Sequence, residues 1–268
     1  MKKKTLIPVF PGTNCEKESF LWFSENLETE VEFLNLKKHH SILPEEIDAL
    51  FIPGGFSFGD YLRAGAIAAR TEEMTFVKKL AQSDIPILGI CNGFQILCES
   101  GLLPGTLVKN VTKQHHHFPV SIRVEKNYFL TTNQENNCVW IPKFHEHQFK
   151  LIESIFSKEF FIPMSCGMGN WLPPRSNTEK ALAEKNAVVF YNNNENGSYK
   201  SIAGLTNSSG KIFGMMPHPE RASDLILGSD EGLVFLLGIA QSQKIKIRSG
   251  SPLANFAEKL FEGAKYHV

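Results

Sequence analysis

The sequence lacks a hydrophobic stretch long enough to cross a lipid bilayer. Its longest run without a polar side chain, Gly232 to Ala240, has nine residues, and a transmembrane helix needs about 20. The N-terminal Met1-Lys2-Lys3-Lys4 resembles the start of a secretion signal, but the apolar residues behind it end at Pro11-Gly12. We therefore expect neither a membrane protein nor an exported one.

Net charge is also absent, because 28 Lys and Arg residues balance 28 Asp and Glu residues. Nucleic acids and anionic lipids bind surfaces of strong positive potential, so neither is an expected partner.

Cysteine is scarce: the chain has five, an odd number, and none forms a C-x-x-C pair. This usage argues against a disulfide framework and indicates a reducing, cytoplasmic compartment.

The length of 268 residues suffices for one large α/β domain or two small ones. The first half alternates short β-branched segments with amphipathic ones, a pattern typical of βαβ units. The predicted strands are Thr5–Phe10, Val31–Leu36, Ala49–Ile52 and Ile85–Ile90, and the predicted helices are Glu16–Leu27, capped by Asn14, and Thr71–Gln82, capped by Thr71. We predict a flavodoxin-like α/β fold, with a mostly parallel sheet and helices on both faces.

From Leu107 onward, shorter extended segments broken by polar clusters indicate an antiparallel layer. Its predicted strands are Val120–Val124, Ala187–Tyr191 and Ile202–Thr206, with a further strand at Lys211–Met216. Residues 133–159 are rich in Asn, Lys and His and are interpreted as an insertion. With a closing helix at Glu231–Gln241, the predicted domain spans 1–241, and 242–268 form a basic tail with a short helix after Pro252.

One segment carries the strongest chemical signal. A hydrophobic strand runs into Gly89-Ile90-Cys91-Asn92-Gly93 and directly into a helix, so Cys91 falls at a sharp strand-to-helix turn. A thiol at a helix N-terminus faces unpaired N–H groups and the positive end of the helix dipole, which favour the thiolate. The alternative, a small buried hydrophobe at a strand end, leaves the flanking glycines unexplained. Cys91 is therefore predicted to be a nucleophile.

A thiolate nucleophile needs a base, and His218 is the best candidate among nine histidines. It follows a predicted strand and lies between Pro217 and Pro219, which fix the backbone on both sides. In an extended segment His218 and Glu220 can point to one side, so the carboxylate could hold the imidazole in one tautomer. The competing interpretation is a proline-rich surface turn.

Acyl transfer also needs hydrogen-bond donors for the developing oxyanion. One candidate is the backbone N–H of Asn92, the residue after the nucleophile. The second is expected from the loop that follows the strand at Ala49–Ile52, where Gly54 and Gly55 let a peptide N–H approach a substrate without a Cβ in the way. Paired glycines alone are weak evidence, since many strand-to-loop transitions use them.

Four blocks of sequence resemble class I, or triad-type, glutamine amidotransferases, and most closely the PurQ-type glutaminase subunit of phosphoribosylformylglycinamidine synthase. The blocks lie at residues 11–15, 53–67, 89–105 and 214–221 and together span most of the chain. The second contains Gly-Asp-Tyr-Leu-Arg and the fourth Pro-His-Pro-Glu-Arg. These two blocks resemble that subunit specifically.

The resemblance implies hydrolysis of L-glutamine to glutamate and ammonia, with the ammonia passed to a synthetase subunit in de novo purine biosynthesis. It implies that partner, with or without a small accessory subunit, and places ATP and Mg²⁺ on the synthetase, with no cofactor and no metal in this chain. The implied site residues are the nucleophile Cys91, the base His218, its orienting carboxylate Glu220, the oxyanion donors Gly55 and Asn92, and the substrate contact Gln95.

The chain departs from the family pattern at Ser165-Cys166-Gly167-Met168-Gly169, where the family carries a segment resembling Ala-His-Gly-Glu-Gly. A Gly-x-Gly backbone can offer donors to a substrate carboxylate and acceptors to its ammonium group. We therefore predict that Gly167 and Gly169 contribute to the glutamine pocket through their backbone. If the lost side chains contact the partner instead, docking is altered.

Histidines at 115–117, 145 and 147, together with Cys166, raise the alternative of a metal site. Zinc does prefer His and Cys ligands. However, three adjacent histidines cannot all point one way, and neither C-x₂₋₄-C nor H-x₃₋₅-H spacing is present. We therefore interpret these histidines as residues of solvent-exposed loops. Cys15 is interpreted separately, as part of the loop that lines the site.

Three other functions stay open at this stage. A non-catalytic scaffold or regulator would keep the fold but not the chemistry, and the presence of Cys91, His218 and Glu220 argues against it. A related peptidase would take its histidine from the position directly after the cysteine, which Asn92 occupies. An amidotransferase for another acceptor is the third, and it matches Gly-Asp-Tyr-Leu-Arg poorly.

Overall fold

The computed structural model of the protein describes residues 2–131, 137–150 and 159–265, with side chains up to residue 260. Its strands are β1 (Lys4–Ile7), β2 (Glu30–Phe33), β3 (Ile47–Ile52), β4 (Ile87–Ile90), β5 (Thr106–Val108), β6 (His116–Val124), β7 (Phe160–Cys166), β8 (Asn170–Leu172), β9 (Ala187–Tyr191), β10 (Ile202–Thr206) and β11 (Ile212–Met215). Its helices are α1 (Glu16–Ser24), α2 (Leu36–His39), α3 (Glu72–Ala81), α4 (Asn92–Glu99), α5 (Asn177–Lys185), α6 (Leu233–Gln243) and α7 (Pro252–Lys265).

Within the described residues, nine strands form one sheet in the order β2-β1-β3-β4-β11-β10-β9-β6-β7, and β5 pairs with β8 separately. Neighbours from β2 to β11 run parallel, and those from β11 to β7 run antiparallel. The predicted flavodoxin-like α/β class is confirmed. The antiparallel strands continue the parallel sheet, because β10 and β11 are joined by a short connection and pair as a hairpin.

The central strands are buried along their whole length. Every residue of β3 and of β4 is buried, as expected for parallel strands covered on both faces. Helix α4 packs directly on them through glycine: a Cβ added to Gly93 would lie 2.0 Å from the Ile52 carbonyl oxygen. This close approach fixes the turn between β4 and α4.

Helix α1 begins at Glu16 as predicted, but its predicted cap is wrong. The N-cap residue is Cys15 rather than Asn14, and no side chain caps the helix. Asn14 Oδ1 instead accepts a hydrogen bond from the Cys15 thiol at 3.3 Å, so it is not available to the helix. The other predicted cap is confirmed, since Thr71 Oγ1 accepts from the Met74 N–H at the start of α3.

The histidines at 115–117 do not all lie in a solvent-exposed loop, and that interpretation is wrong for His116. Strand β6 begins at His116, which pairs with Cys166 of β7 and is 5% exposed. The pairing of β6 with β7 continues over seven consecutive residue pairs, which carries this polar residue into the sheet. His115 and His117 are exposed.

Part of the segment predicted as an insertion, 133–159, lies outside the described residues. Its described part, 137–150, packs into the core: Cys138, Trp140 and Phe144 are buried. A Cβ added to Gly238 of α6 would lie 2.3 Å from the Trp140 carbonyl carbon. This part of the segment therefore lies directly against helix α6.

The C-terminal residues also pack onto the domain. Ile247 forms a bridge with Leu27, and the Leu253 N–H donates to Asn26 Oδ1 at 2.8 Å. Helix α7 occupies the position predicted after Pro252, extends for 14 residues and buries Leu253 and Leu260. In the described ranges, no helix combines the length and apolar composition that crossing a bilayer would require.

Candidate active site

Three neighbouring parallel strands bring the predicted site residues together. Strands β3, β4 and β11 lie side by side, so their carboxyl ends meet at one edge of the sheet, where open α/β sheets bind ligands. Gly54 and Gly55 follow β3, Cys91 follows β4, and His218 lies just beyond β11. The Cys91 N–H donates to the Met215 carbonyl at 2.8 Å, which ties two of these strand ends together.

Cys91 occupies a strained turn at the start of α4. Its φ of 52° is unusual for a residue with a side chain, and such strain is concentrated at functional sites. Its thiol donates to the Ser165 carbonyl at 3.3 Å. Burial raises the pKa of Cys91, and the charge of His218 opposes that rise. Burial therefore opposes the thiolate expected from the sequence, and His218 favours it.

His218 and Glu220 form a buried pair. Glu220 Oε1 lies 2.6 Å from His218 Nδ1, and both side chains are at most 2% exposed. Burial lowers the pKa of His218, but the charges of Glu220 and of a Cys91 thiolate raise it overall, so the imidazole is a strong acceptor for the thiol proton. Glu220 lies in a 3₁₀ turn, Pro219–Arg221, rather than in the extended segment that the sequence suggested, yet the predicted side-chain contact forms.

The other imidazole nitrogen, Nε2 of His218, faces the cysteine. Among the described residues, no group hydrogen-bonds to Nε2, although the Cys91 thiol is near enough for each group to shift the pKa of the other. A Cβ added to Gly54 would lie 2.7 Å from His218 Cε1 and 3.4 Å from Cys91 Cβ. Both side chains therefore pack over the bare backbone of Gly54.

The Asn92 side chain connects α4 to the loop that follows β3. Its Oδ1 accepts from the Ser57 N–H at 3.1 Å, and its Nδ2 donates to Asp60 Oδ1 at 3.3 Å and to Gln95 Oε1 at 2.8 Å. Sequence reasoning assigned a role only to the Asn92 backbone. No local signal indicates such a network, because its members come together only in the folded chain.

The rest of this loop is fastened along α4. Arg63 makes a two-pronged ion pair with Glu99 at the C-terminal end of the helix. Gly65, at a φ of 76°, contacts the helix backbone so closely that an added Cβ would lie 2.7 Å from the Ile96 nitrogen. The block that carries Gly-Asp-Tyr-Leu-Arg is therefore held at both ends of the helix that begins at the cysteine.

A cleft of about 710 Å³ opens at Cys91. Three other predicted site residues line it, namely Gly55, Gln95 and Gly167. The sequence analysis assigned no role in a substrate cleft to five polar residues that also line it: Asp60, Lys109, Asn110, Lys113 and His115. Those at 109–115 connect β5 to β6, and in the sequence they are indistinguishable from an ordinary solvated loop.

Residues 165–168 of the segment 165–169 line the cleft. Gln95 Nε2 donates to the Met168 carbonyl at 2.8 Å, and the Asn110 N–H donates to the Gly167 carbonyl at 3.1 Å. Gly169 is placed differently, since it is not among the residues that line the cleft. Its N–H is bonded to Asn110 Oδ1 and its carbonyl to Asn196 Nδ2.

This difference predicts that only one of two glycine substitutions destabilises the protein. In Gly169→Ala the new Cβ would lie 2.5 Å from Cys166 Sγ, and we expect the free energy of unfolding to fall by about 1–3 kcal/mol. In Gly167→Ala the nearest atom is His115 Nδ1 at 3.6 Å, an ordinary contact, so stability should change by less than about 0.5 kcal/mol. Urea unfolding of the two variants measures the difference, and equal losses would contradict it.

Cys15 lies close to Cys91 and His218 around Gly54, next to Arg221. Arg221 Nη2 donates to Cys15 Sγ at 3.0 Å, and burial raises the pKa of this thiol to about 12. Ligand atoms of Cys15, His218 and Glu220 lie within 4.8 Å of one another and could in principle hold a metal ion. The adjacent guanidinium opposes a cation there, and the prediction that this chain holds no metal stays a prediction.

Comparison with known proteins assigns the chain to a family. A model of the CobB/CobQ-like glutamine amidotransferase domain matches residues 2–230. A chain in the structure of PurLQS from Thermotoga maritima is 30% identical, with a TM-score of 0.69, over 96% of this chain and 100% of that one.

Two more distant structures share the fold. A putative GMP synthase protein from Thermoplasma acidophilum is 13% identical over 91% of this chain and 96% of its own, with a TM-score of 0.53. A glutamine amidotransferase from Thermotoga maritima is 15% identical over 100% and 98%, with a TM-score of 0.51. The chain belongs to the CobB/CobQ-like glutamine amidotransferase family, and its predicted resemblance to the PurQ-type glutaminase subunit is confirmed.

Proposed function

We propose that this chain is the glutaminase subunit of a phosphoribosylformylglycinamidine synthase. It hydrolyses L-glutamine to glutamate and ammonia and delivers the ammonia to a synthetase subunit. The observation that carries the proposal is the buried His218–Glu220 pair, 2.6 Å apart, behind a strained cysteine that opens into a cleft. Membership of a glutamine amidotransferase family supports glutamine as the substrate.

The first half-reaction forms a thioester. His218 Nε2 takes the proton of the Cys91 thiol, and Sγ attacks the side-chain amide carbon of glutamine. The backbone N–H groups of Gly55 and Asn92 stabilise the oxyanion. Glu220 stabilises the imidazolium through Nδ1, the Nε2 proton then passes to the leaving amino group, and ammonia departs.

The second half-reaction releases glutamate. His218 removes a proton from a water molecule, and the resulting hydroxide attacks the thioester carbon. When the tetrahedral intermediate collapses, the carbon–sulfur bond breaks and His218 returns the proton to Cys91. Gln95 and the backbone of 165–168, linked through the Gln95–Met168 hydrogen bond, hold the substrate chain in place; Gly169 supports this wall through Asn110.

The partner and setting follow from the resemblance. The similar chain comes from a structure described as PurLQS, which supports a large synthetase subunit, with or without a small accessory subunit, as the partner here. ATP and Mg²⁺ would then act on the synthetase, and this chain would need no cofactor of its own. We propose a cytoplasmic location and a catalytic domain of residues 1–241, with 242–268 as a C-terminal tail.

Glutamate release tests the proposed activity. The chain is assayed with L-glutamine alone, then with a synthetase subunit, phosphoribosylformylglycinamide and ATP. We expect slow release by the isolated chain and an increase of about tenfold or more in the complete mixture, because docking would complete the site. Release that responds only to a synthetase for a different acceptor would replace the proposed pathway, and no release in any mixture would favour a non-catalytic scaffold.

Cysteine labelling tests the assignment of the nucleophile. A glutamine-like electrophile should alkylate Cys91 ahead of Cys15, Cys98, Cys138 and Cys166, because Cys91 lines the cleft beside His218. Burial raises the pKa of Cys15, Cys138 and Cys166 to about 12, which makes their thiolates scarce. Peptide mapping by mass spectrometry gives the order, and earlier labelling of Cys15 or Cys166 would contradict the assignment.

A further inference from the structure

We propose that Asp60 binds the α-ammonium group of the substrate. The inference rests on the proposed function, because it names the group that recognises the amino-acid head of glutamine. A substrate that is a zwitterion needs an anionic partner for its ammonium group. Asp60 is a carboxylate among the residues that line the cleft with Cys91.

The carboxylate of Asp60 has neutral partners and no cation. It accepts hydrogen bonds from the Gly65 N–H and from Asn92 Nδ2. Among the residues that the structure describes, no Lys, Arg or His forms an ion pair with it. Burial raises its pKa against the effect of these two hydrogen bonds. Burying half of a carboxylate without a nearby positive charge costs free energy. A bound ammonium group would supply that positive charge.

Asp60 contacts the residue that follows the nucleophile. Its Oδ1 lies 3.3 Å from the side chain of Asn92, the residue directly after the nucleophile. In an extended glutamine, the amide carbon and the α-nitrogen are four bonds and about 5 Å apart. Asp60 and Cys91 line the same cleft, so we place the amide carbon of one glutamine at the thiol and its ammonium group at this carboxylate.

The backbone holds the carboxylate in place. Phe58, Gly59 and Asp60 all have positive φ, at 53°, 70° and 53°, a conformation that is costly for the two residues with side chains. Gly65 and Arg63 then fasten the following residues to α4. Strain of this kind is maintained where a functional group must be positioned in advance.

The same cleft offers charge of the opposite sign to the rest of the amino-acid head. Lys109 and Lys113 line it and are exposed, so they can attract the α-carboxylate. Asp60 supplies negative charge to the same cavity. This combination suits an amino acid with both charged groups and disfavours an amide that lacks either one.

The test compares glutamine with glutaramate, the same molecule without its α-amino group. In Asp60→Asn the size of the side chain and one acceptor oxygen are kept, but the charge is lost. We expect kcat/KM for glutamine to fall roughly 10- to 100-fold. The main effect should be a higher KM, because the substrate loses a charged hydrogen bond. Hydrolysis of glutaramate should change by less than about threefold.

Asp84→Asn is the matched control. Asp84 is also an aspartate at positive φ, 57°, but it is exposed and does not line the cleft, so this variant should behave as the wild type towards both substrates. Equal losses for glutamine and glutaramate in Asp60→Asn would show a purely structural role and overturn the proposal. Unchanged kinetics with glutamine would overturn it as well.

A binding measurement separates this proposal from the proposed function. Calorimetric titration of the Cys91→Ala chain with L-glutamine, with and without Asp60→Asn, needs no turnover. A roughly tenfold or greater loss of glutamine affinity in the double variant supports Asp60 even if the chain proves catalytically silent. Equal affinities in the two variants refute the role of Asp60 while leaving the glutaminase assignment intact.

Discussion

Replacing Cys91 with serine should reduce glutamine-dependent synthesis by about 10³-fold or more, while ammonia-dependent synthesis by the partner stays intact. A hydroxyl is a much weaker nucleophile than a thiol at neutral pH, and the residues of a triad act as a unit, so loss of one removes most of the catalysis. Added ammonia bypasses this subunit. The measurement is product formation with each nitrogen source.

Cys98→Ser is the matched control for that substitution. Cys98 lies on the same helix and is buried, but its thiol bonds to the Pro104 carbonyl and not to the cleft. We expect full glutamine-dependent activity in this variant, apart from a modest loss of stability. If Cys91→Ser kept its use of glutamine, Cys91 could not be the nucleophile.

Glu220→Gln should lower kcat by about 10³- to 10⁴-fold with little change in KM for glutamine. The amide keeps the size of the carboxylate but removes the charge next to His218 Nδ1, and its NH₂ group favours the wrong imidazole tautomer. The carboxylate is also one of the groups that raise the pKa of His218, so the variant loses stabilisation of the imidazolium that forms during the reaction. Steady-state kinetics in the complete mixture give the two parameters.

Glu18→Gln provides the comparison. Glu18 pairs with Arg221 at 2.9 Å, directly beside the triad, and is about one-third exposed. Removing its charge disturbs the neighbourhood without touching His218, so we expect kcat to change by less than about threefold. A defect of Glu220→Gln confined to KM would mean that Glu220 binds substrate rather than orients the base.

The parallel half of the fold was predictable from local patterns. Short buried strands alternate with helical segments, and the carboxyl ends of β3, β4 and β11 must meet once these strands lie side by side. The glycines around Cys91 indicated a sharp turn, and the structure shows why they are needed, since α4 touches β3 at Gly93. The contact between His218 and Glu220 was predicted, although the local conformation that produces it was not.

Other features depend on tertiary neighbours and could not be predicted. Gly167 and Gly169 look equivalent in the sequence, yet one borders the cleft and the other packs against Cys166. His116 resembles a loop residue until β6 pairs with β7. Asp60 acquires its significance only when its loop folds along α4 and brings its carboxylate to the Asn92 side chain.

The central claim is that Cys91 carries the substrate as a thioester, and trapping that intermediate tests it most directly. The chain in its complete mixture is mixed with isotopically labelled glutamine, quenched in acid within a turnover and digested for mass spectrometry. We predict a glutamyl group on the peptide that contains Cys91, and its absence from the same peptide of Cys91→Ser. Glutamate formed with no labelled cysteine, or with the label on Cys15 or Cys166, would contradict the account.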